Sequence, residues 1–288
     1  RARLLQNQSE IADAIDSGDA MLVIVFPADF AEKLARGETS PLQLIADGRN
    51  TMTAGLATGY VSRIVAAWNA ARAAPPVELL TRTWYNPNQE TRWNFLPGLI
   101  GMISFTQVVM LAGLSVARER ELGTFDQLLV TPLSPAEILI GKALPPTLIG
   151  IFQSTALFLI ARFWFGVPFA GSLPLFYLTL LIFTVSSTGI GLIISSVADN
   201  MQQVLVYVFV LLLPLALLSG IVTPIHNMPE PLQYLTYADP MRFAIEAIRR
   251  IYLEGAGFPE IDPNFLPMLL VAAVTLPLAG WLFRHKTT

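Results

Sequence analysis

The chain divides into a front part of mixed polar and apolar residues and a rear part of long apolar runs. Residues 1–92 carry charged side chains throughout, whereas the sequence after Trp93 holds five stretches of about 20 mostly apolar residues. A helix of that length is long enough to cross the hydrocarbon core of a bilayer. We therefore predict a domain boundary near Trp93, separating a domain over 1–92 from a transmembrane domain over 93–288.

The rear part predicts an α-helical integral membrane protein. Trp93, Trp164 and Trp281 lie at the edges of apolar runs, as is typical of the interfacial belt. Prolines and glycines inside the runs are compatible with spans, because neighbouring helices can satisfy the freed backbone groups. The predicted spans cover 95–117, 143–165, 173–198, 201–223 and 264–284.

The front part predicts a small α+β domain. Its strand candidates are short apolar runs bounded by proline or turn residues, and its helix candidates end at glycine or proline. The predicted strands are 21–26, 42–46 and 77–85, and the predicted helices are 28–36 and 51–72.

Composition supports the membrane assignment and excludes several kinds of site. Hydrophobic residues make up 53% and charged residues 14% of the chain, and the mean hydropathy is +0.56. The net charge of -3, without a basic block, offers nucleic acid no electrostatic footprint. Cysteine is absent and the two histidines are far apart in sequence, so we predict neither a metal site nor a cysteine nucleophile.

The spans also limit the source of energy. Ionisable residues are almost absent from their middles, which argues against coupling to a proton or sodium gradient. No Walker A motif is present, because Gly141 and Lys142 are followed by Ala143 and lack the upstream glycine. We therefore predict no catalytic residues and no cofactor bound by this chain, with energy supplied by another subunit.

A few polar and small residues lie inside the spans. Phe105, Gln107 and Gln153 are candidates for a substrate path, although the two glutamines could instead hydrogen-bond a neighbouring helix, which we favour. Small residues at 187, 191 and 195 recur every four positions, which predicts close packing against another helix, favoured within the chain.

The connection over 118–142 predicts a docking element rather than a plain loop. Charged residues at 118–121 end the first span, and Gly123 permits a turn. A short amphipathic helix with Phe125 on its apolar face is expected next, and Pro132 stops it. Ser134 and Glu137 form a capping box that opens the following helix. A capped element with exposed apolar residues suits a groove on a partner.

The connection over 224–263 predicts a second helical element. Asp239 can cap a helix that Pro240 begins and that runs to about Leu253, with Glu246 placed to pair with Arg249 or Arg250. Its apolar side predicts that the helix lies at, or dips into, the outer face of the membrane.

With both connections in view, the chain resembles the permease subunits of bacterial type-2 ABC exporters, in the drug-efflux branch that has a large external domain. The resemblance covers the whole chain, and segment 117–142 is its most specific part. The matching segments are 26–30, 47–50, 84–87, 117–124, 131–134, 141–142, 224–229 and 237–240, with Arg249 after the last.

The resemblance implies a mechanism and a set of site residues. Two such subunits, either identical copies or paralogues, pair in the inner membrane. Each contacts a cytoplasmic ABC ATPase, which binds ATP and Mg, through segment 118–142. The residues implied in ATPase coupling are Arg118, Glu119, Arg120, Glu121, Gly123, Thr124, Phe125, Pro132, Gly141 and Lys142. Those implied in the structure of the external loop are Asn227, Met228, Pro229, Pro240 and Arg249.

The family pattern also predicts topology. It has six spans with both ends cytoplasmic, so we expect a first span upstream of Arg1 and an extracytoplasmic position for 1–92. The basic residues of segment 118–142 and of the C-terminal tail favour the same orientation, whereas the arginines near position 249 oppose it.

Drug export is the function that the resemblance implies, with a periplasmic adaptor and an outer-membrane channel as possible further partners. Two alternatives stay open. One is export of lipid or polysaccharide by the same architecture, and the other is a signal transmitter that relays ATPase strokes without transport.

Overall fold

The structure is a computed structural model that describes residues 4–5, 7, 9–17, 19–48, 51–70, 77–84, 91–124, 132, 134–221, 225 and 228–285. The chain forms two compact units, Arg1–Asn94 and Phe95–Thr288.

The first unit contains a three-stranded sheet in the order β1-β2-β3. Its strands are β1 (Leu22–Val25), β2 (Ser40–Asp47) and β3 (Val77–Trp84). The central strand β2 runs antiparallel to β1 and parallel to β3. A parallel neighbour requires a crossover connection, and the helix between β2 and β3 provides it.

Three helices accompany the sheet: α1 (Ser9–Asp16), α2 (Phe30–Ala35) and α3 (Thr51–Ala70). The sequence pattern predicted α2, α3 and all three strands, but it did not predict α1. Ile11 and Ile15 of α1 pack with Val23 and Ile45 of the sheet. A helix of eight residues is marginal by itself, so α1 depends on this tertiary contact, which local sequence does not reveal.

Five helices in the described part of the second unit are long and apolar enough to cross a membrane. They are α4 (Thr91–Glu121), α5 (Pro135–Leu159), α6 (Leu173–Val197), α7 (Met201–Leu218) and α10 (Phe258–His285). This confirms the predicted class, an α-helical integral membrane protein with five spans in the present chain and an α+β domain before them.

Four predicted span limits differ from the structure by four or more residues. The first span continues to Glu121 rather than ending at residue 117. The second and fifth spans begin earlier than predicted, at Glu137 and Phe258, because the helices continue through polar first turns. The fifth also carries Pro263 and Pro267 within the helix. The fourth ends at Leu218, before Ser219 and the positive-φ Gly220, rather than at residue 223.

Helix α6 is the centre of the membrane unit. Of the most apolar 18 residues of α6, 61% are buried, against 11% of those of α7. The predicted small-residue face of α6 packs on α4 within the chain. A Cβ on Gly191 would come 2.7 Å from the carbonyl oxygen of Val109, and Ser195 Oγ accepts hydrogen bonds from the amides of Val116 and Ala117, both at 3.2 Å.

Hydroxyl pairs connect the spans further. Ser104 of α4 and Ser154 of α5 share a hydrogen bond of 2.7 Å, and Thr147 of α5 and Thr188 of α6 share one of 3.1 Å. Hydrogen bonds between apolar helices add specificity where hydrophobic burial does not discriminate.

The connection before α10 contains α8 (Glu230–Leu235) and α9 (Pro240–Arg249), followed by a π-helical turn over Arg250–Glu254. The cap by Asp239 and the start at Pro240 are as predicted, since Asp239 Oδ1 accepts from the Met241 amide at 2.9 Å. The apolar side of α9 faces other helices rather than lipid. Met241 and Ile248 are fully buried, because α9 packs against α6 and α10. The position of α9 at the outer face of the membrane stays a prediction.

Candidate functional site

The first candidate site begins where α4 ends. Gly123 has a φ of 70°, and the Thr124 amide donates to the carbonyl of Glu119 at 2.9 Å. The Gly123 amide also donates to the carbonyl of Arg120 at 3.1 Å. This is a Schellman motif, in which glycine takes the left-handed position without a Cβ penalty. The motif ends the span and aligns the charged residues at 118–121.

The start of α5 is equally well defined. Ser134 Oγ accepts from the Glu137 amide at 3.3 Å, and Glu137 Oε2 accepts from the Ser134 amide at 2.7 Å. This is the predicted capping box. One turn further along α5, Lys142 forms an ion pair with Glu119 of α4. Both side chains are mostly buried, so the pair joins the end of α4 to the start of α5.

Arg120 reaches the end of a third span. Its Nη1 donates to the carbonyls of Ser196 and Ala198, at 3.0 and 3.1 Å. These carbonyls lie at the C-terminus of α6, where the last turn lacks donors within the helix. A cation there also complements the helix dipole. Arg120 therefore caps α6 from α4.

Glu121 reaches the start of a fourth span. Its Oε2 accepts from the amide of Met201, the first residue of α7, at 3.2 Å. Helix N-termini favour carboxylates because their first amides lack acceptors. Asn200 caps the same helix through the Gln203 amide at 2.9 Å. Consecutive residues of α4 therefore hydrogen-bond the end of α6 and the start of α7, on either side of the turn between them.

We call Glu119, Arg120, Glu121 and Lys142 the four-helix joint, because together they connect the adjacent ends of α4, α5, α6 and α7. The other described residues implied in coupling surround it. Arg118, Gly123, Thr124, Pro132 and Gly141 are all exposed. Phe125 lies outside the described residues, as does the amphipathic helix predicted around it.

The backbone partners of the joint were not among the predicted site residues: the carbonyls of Ser196 and Ala198 accept, and the amide of Met201 donates. Ser196, Ala198 and Met201 contribute backbone atoms, which leave no trace in side-chain patterns. One signal was available: Asn200 followed by Gln203 at the start of an apolar run is a helix-start pattern.

The external-loop residues lie at the opposite end of α4, which we call the α9 end. Pro229 precedes α8, and the Met228 carbonyl accepts from Gln233 Nε2 at 2.8 Å. Pro240 is the buried first residue of α9. Arg249, the last residue of α9, lies beside Gly98 of α4. Asn227 lies outside the described residues.

Four buried polar atoms at the α9 end have no hydrogen-bond partner within the described part of the chain. They are Asp239 Oδ2, Arg242 Nε, Arg249 Nε and Tyr252 Oη. Burial raises the pKa of Asp239 to about 7, although the Met241 amide and Arg242 oppose the shift. Burial likewise raises the pKa of Tyr252 to about 12 and lowers the pKa of Arg249 to about 10.

The predicted ion pair of Glu246 with Arg249 or Arg250 is wrong. Arg250 Nε pairs instead with Glu254 Oε2 at 3.4 Å, and its Nη1 donates to the carbonyl of Glu260 at 2.9 Å. The reason is geometric: the π-helical turn and the start of α10 bring these acceptors to Arg250, while Glu246 is exposed.

The substrate-path candidates lie among the spans without forming one cluster. Phe105 is buried and stacks on Phe183, with ring centroids 6.1 Å apart. Gln107 is partly buried. Gln153 Oε1 is buried and has no hydrogen-bond partner in the described residues. The favoured interpretation of Gln153, a hydrogen bond to a neighbouring helix, is therefore wrong for this oxygen.

Five apolar spans joined by polar contacts at their ends define a multi-pass membrane protein. The chain belongs to the ABC-2 family of transporter proteins, whose family model matches residues 2–281. It is a permease component of an ABC transporter and thus a transport protein.

Three curated relatives from Escherichia coli (strain K12) match almost the whole chain. The probable multidrug ABC transporter permease YbhR is 43% identical over 98% of this chain and 78% of its own length. The probable multidrug ABC transporter permease YbhS is 31% identical, over 98% and 77%. The inner membrane transport permease YhhJ is 30% identical, over 96% and 76%.

Proposed function

We propose that this permease exports hydrophobic or amphiphilic compounds, including drugs, from the cytoplasm or the inner leaflet of a bacterial inner membrane. The names of YbhR and YbhS support drugs as substrates, and that of YhhJ supports the inner membrane. The apolar spans support a route for compounds that partition into lipid.

Export is driven by separate ATPase subunits that dock on segment 118–142 from the cytoplasm and carry the ATP and Mg. The observation that carries this proposal is the four-helix joint. A force applied near Gly123 or Gly141 acts directly on α4 and α5, and Arg120 and Glu121 pass it to the ends of α6 and α7. One docking surface thereby moves four spans together.

The energy for export enters through that surface. Ionisable residues are almost absent from the middles of the spans, so a proton gradient has no path through side chains. The sequence also lacks a Walker A loop. Coupling through the joint needs neither a proton path nor an ATP-binding loop in this chain, because closure of the ATPase is converted into helix movement.

Two permease subunits pair in the working transporter. Helix α7 supports this arrangement, because only 11% of its span is buried within the subunit. Its exposed side chains include Val206, Phe209, Val210 and Leu213. The unit over residues 1–94 lies outside the cytoplasm, where it is available to an adaptor protein and an outer-membrane channel.

Cysteine labelling tests the topology, because this chain has no cysteine. Glu38→Cys and Arg118→Cys place single thiols at exposed positions of the two units. In intact spheroplasts, an impermeant maleimide should label the first variant and not the second. The reverse pattern would contradict the proposed orientation.

Reconstitution tests the energy source. The full-length permease alone in liposomes should be inert, and its ATPase should restore ATP-dependent export that uncouplers do not inhibit. Export by the permease alone, driven by an imposed pH gradient, would overturn the proposal. Stimulation of ATP hydrolysis by an amphiphilic drug, with measurable export, would separate a transporter from a signal transmitter.

A further inference from the structure

The guanidinium of Arg249 lies against the backbone of α4 near the start of the first span. A Cβ added to Gly98 would come 3.0 Å from Arg249 Nη2 and 3.3 Å from Nε. Any larger residue at 98 would therefore displace the guanidinium. The glycine leaves room for a cation beside the helix.

Arg249 is half-buried, and one of its nitrogens lacks an acceptor within the described chain. Arg249 Nε is buried without a hydrogen-bond partner, and no ion pair involves Arg249 among the described residues. The neighbouring Arg250 differs, since it binds both Glu254 and the carbonyl of Glu260. The adjacent carboxylate Glu254 is thus engaged, and Glu246 is exposed to solvent.

A buried Nε–H without an acceptor is unfavourable, because burial removes its hydration and no hydrogen bond within the described chain replaces it. The planar fork of arginine matches the two oxygens of a phosphate or carboxylate. The site therefore suits an oxyanion that comes from outside the described chain.

The depth of the site identifies the source of that oxyanion. The first span runs over Phe95–Glu121, 27 residues, and is about 40 Å long at 1.5 Å per residue. This matches the roughly 30 Å hydrocarbon core together with part of the headgroup regions. Gly98 is the fourth residue of the span, so Arg249 lies near the boundary of headgroups and hydrocarbon.

An exposed apolar side chain lies one turn from Gly98 on α4. Phe95 is 47% exposed. Aromatic rings at this level of a span are typical of the membrane interface. A molecule with an anionic head and acyl tails fits a half-buried cation next to an exposed apolar side chain of α4.

We propose that Arg249 binds the phosphate of an anionic glycerophospholipid in the leaflet at the α9 end. The guanidinium donates to the phosphate oxygens, and the acyl chains lie along the exposed apolar surface of α4. Gly98 is the positioning residue that allows the guanidinium to lie flat against α4. This lipid site does not depend on the ATPase or on the transported substrate.

Thermal unfolding of the purified full-length permease in detergent tests the proposal. Phosphatidylglycerol, diacylglycerol with the same acyl chains, and inorganic phosphate are titrated separately. The wild-type melting temperature should rise more with phosphatidylglycerol than with diacylglycerol. Arg249→Gln should abolish that difference or weaken half-saturation about tenfold or more, the loss of a charged hydrogen bond. Arg250→Gln is the matched control and should keep the difference.

The unfolding temperature without lipid gives a second readout. Because Arg249 has no partner in the described chain, Arg249→Gln should not lower it, whereas Arg250→Gln should. The proposal is overturned if wild type shows no preference for phosphatidylglycerol, or if Arg249→Gln keeps it. If inorganic phosphate raised the melting temperature as much as phosphatidylglycerol does, the ligand would be a free anion, and the assignment to a lipid would be overturned as well.

Discussion

The two ends of α4 differ in whether the charged side chains there have partners within the subunit. At the four-helix joint, Arg120 and Glu121 bind the ends of α6 and α7, and Glu119 pairs with Lys142. About 33 Å away along the helix, Arg249 lies beside Gly98, and its Nε is buried without a partner among the described residues. The same is true of Asp239 Oδ2 at the start of α9. Both ends are rich in polar groups. At the joint each of the four charged residues has a partner within the subunit, and only Glu119 Oε2 is buried without one among the described residues.

The difference indicates different tasks. A joint whose four charged residues each bind a partner within the subunit keeps four helix ends in register without a ligand, as a force-transmitting element requires. Unpaired buried groups have an energetic cost that is relieved by a ligand, a proton or a movement. The α9 end is therefore the end at which the environment of the protein affects its stability.

The largest expected effect is at the joint. Arg120→Gln removes two charged hydrogen bonds and leaves the carbonyls of buried Ser196 and Ala198 without donors. We expect the free energy of unfolding to fall by about 2–3 kcal/mol. The exposed neighbour Arg118→Gln is the control and should change it by less than about 0.5 kcal/mol. Thermal unfolding in detergent measures both, and equal losses would mean that the α6 cap contributes nothing.

The next effect is a pH dependence at the α9 end. The pKa of Asp239 is about 7 in the folded protein, against an ordinary value of 3.8. The folded state therefore holds the proton over a range in which the unfolded chain has lost it. Stability should fall as pH rises from about 4 to about 7 and then level off. Asp239→Asn should flatten this profile in melting temperatures measured between about pH 5 and 8.

Asp29 provides the control for that profile. Its hydrogen bond from Lys33 lowers its pKa. Any contribution of Asp29 to the pH dependence of stability therefore has the opposite sign and lies at lower pH. Asp29→Asn should leave the slope over the same pH range unchanged. A steep slope that persists in Asp239→Asn would assign the titration to another group.

A smaller effect concerns the ion pair of the joint. Glu119 and Lys142 are 24% and 19% exposed, whereas Asp29 and Lys33 are 47% and 36% exposed. Double-mutant cycles should give a coupling energy near ~1 kcal/mol for the first pair and a clearly smaller value for the second, because solvent screens it more. Equal coupling energies would show that the joint is no better shielded than an ordinary surface helix.

The smallest effect is at Gly141, where an added Cβ would meet no atom within 4 Å. Gly141→Ala should stabilise α5 by about 0.5–1 kcal/mol, the difference in helix propensity. Gly141→Trp should also fold, but its bulk should weaken binding of the ATPase in a pull-down with the full-length permease. Normal ATPase binding by Gly141→Trp would show that the exposed side of α5 at Gly141 is not part of the docking surface.

Sequence reasoning succeeded where local chemistry decides the structure. The capping box at Ser134 and Glu137, the cap at Asp239 and the turn at Gly123 each follow from residues close in sequence. The five spans follow from length and hydropathy alone. These features need no knowledge of which helices are neighbours.

Long-range contacts were beyond the same reasoning. Arg120 binds carbonyls 76 and 78 residues away, and backbone acceptors carry no signature in the sequence. Burial of α9 likewise depends on α6 and α10, and the partner of Arg250 depends on a π-helical turn. The sequence identified the charged cluster as a candidate site. Its role as a joint could be recognised only once the three-dimensional contacts between helix ends were known.

Transmission of the ATPase stroke to α6 and α7 through the joint can be measured directly. Arg120→Gln is compared with Arg63→Gln, which changes an exposed arginine of the first unit outside segment 118–142. Both variants are studied in proteoliposomes that contain the full-length permease and its ATPase, with drug export and ATP hydrolysis recorded together. Arg120→Gln should insert normally and hydrolyse ATP but lose most export per ATP, while Arg63→Gln retains it. Export per ATP at the wild-type level by Arg120→Gln would contradict the account.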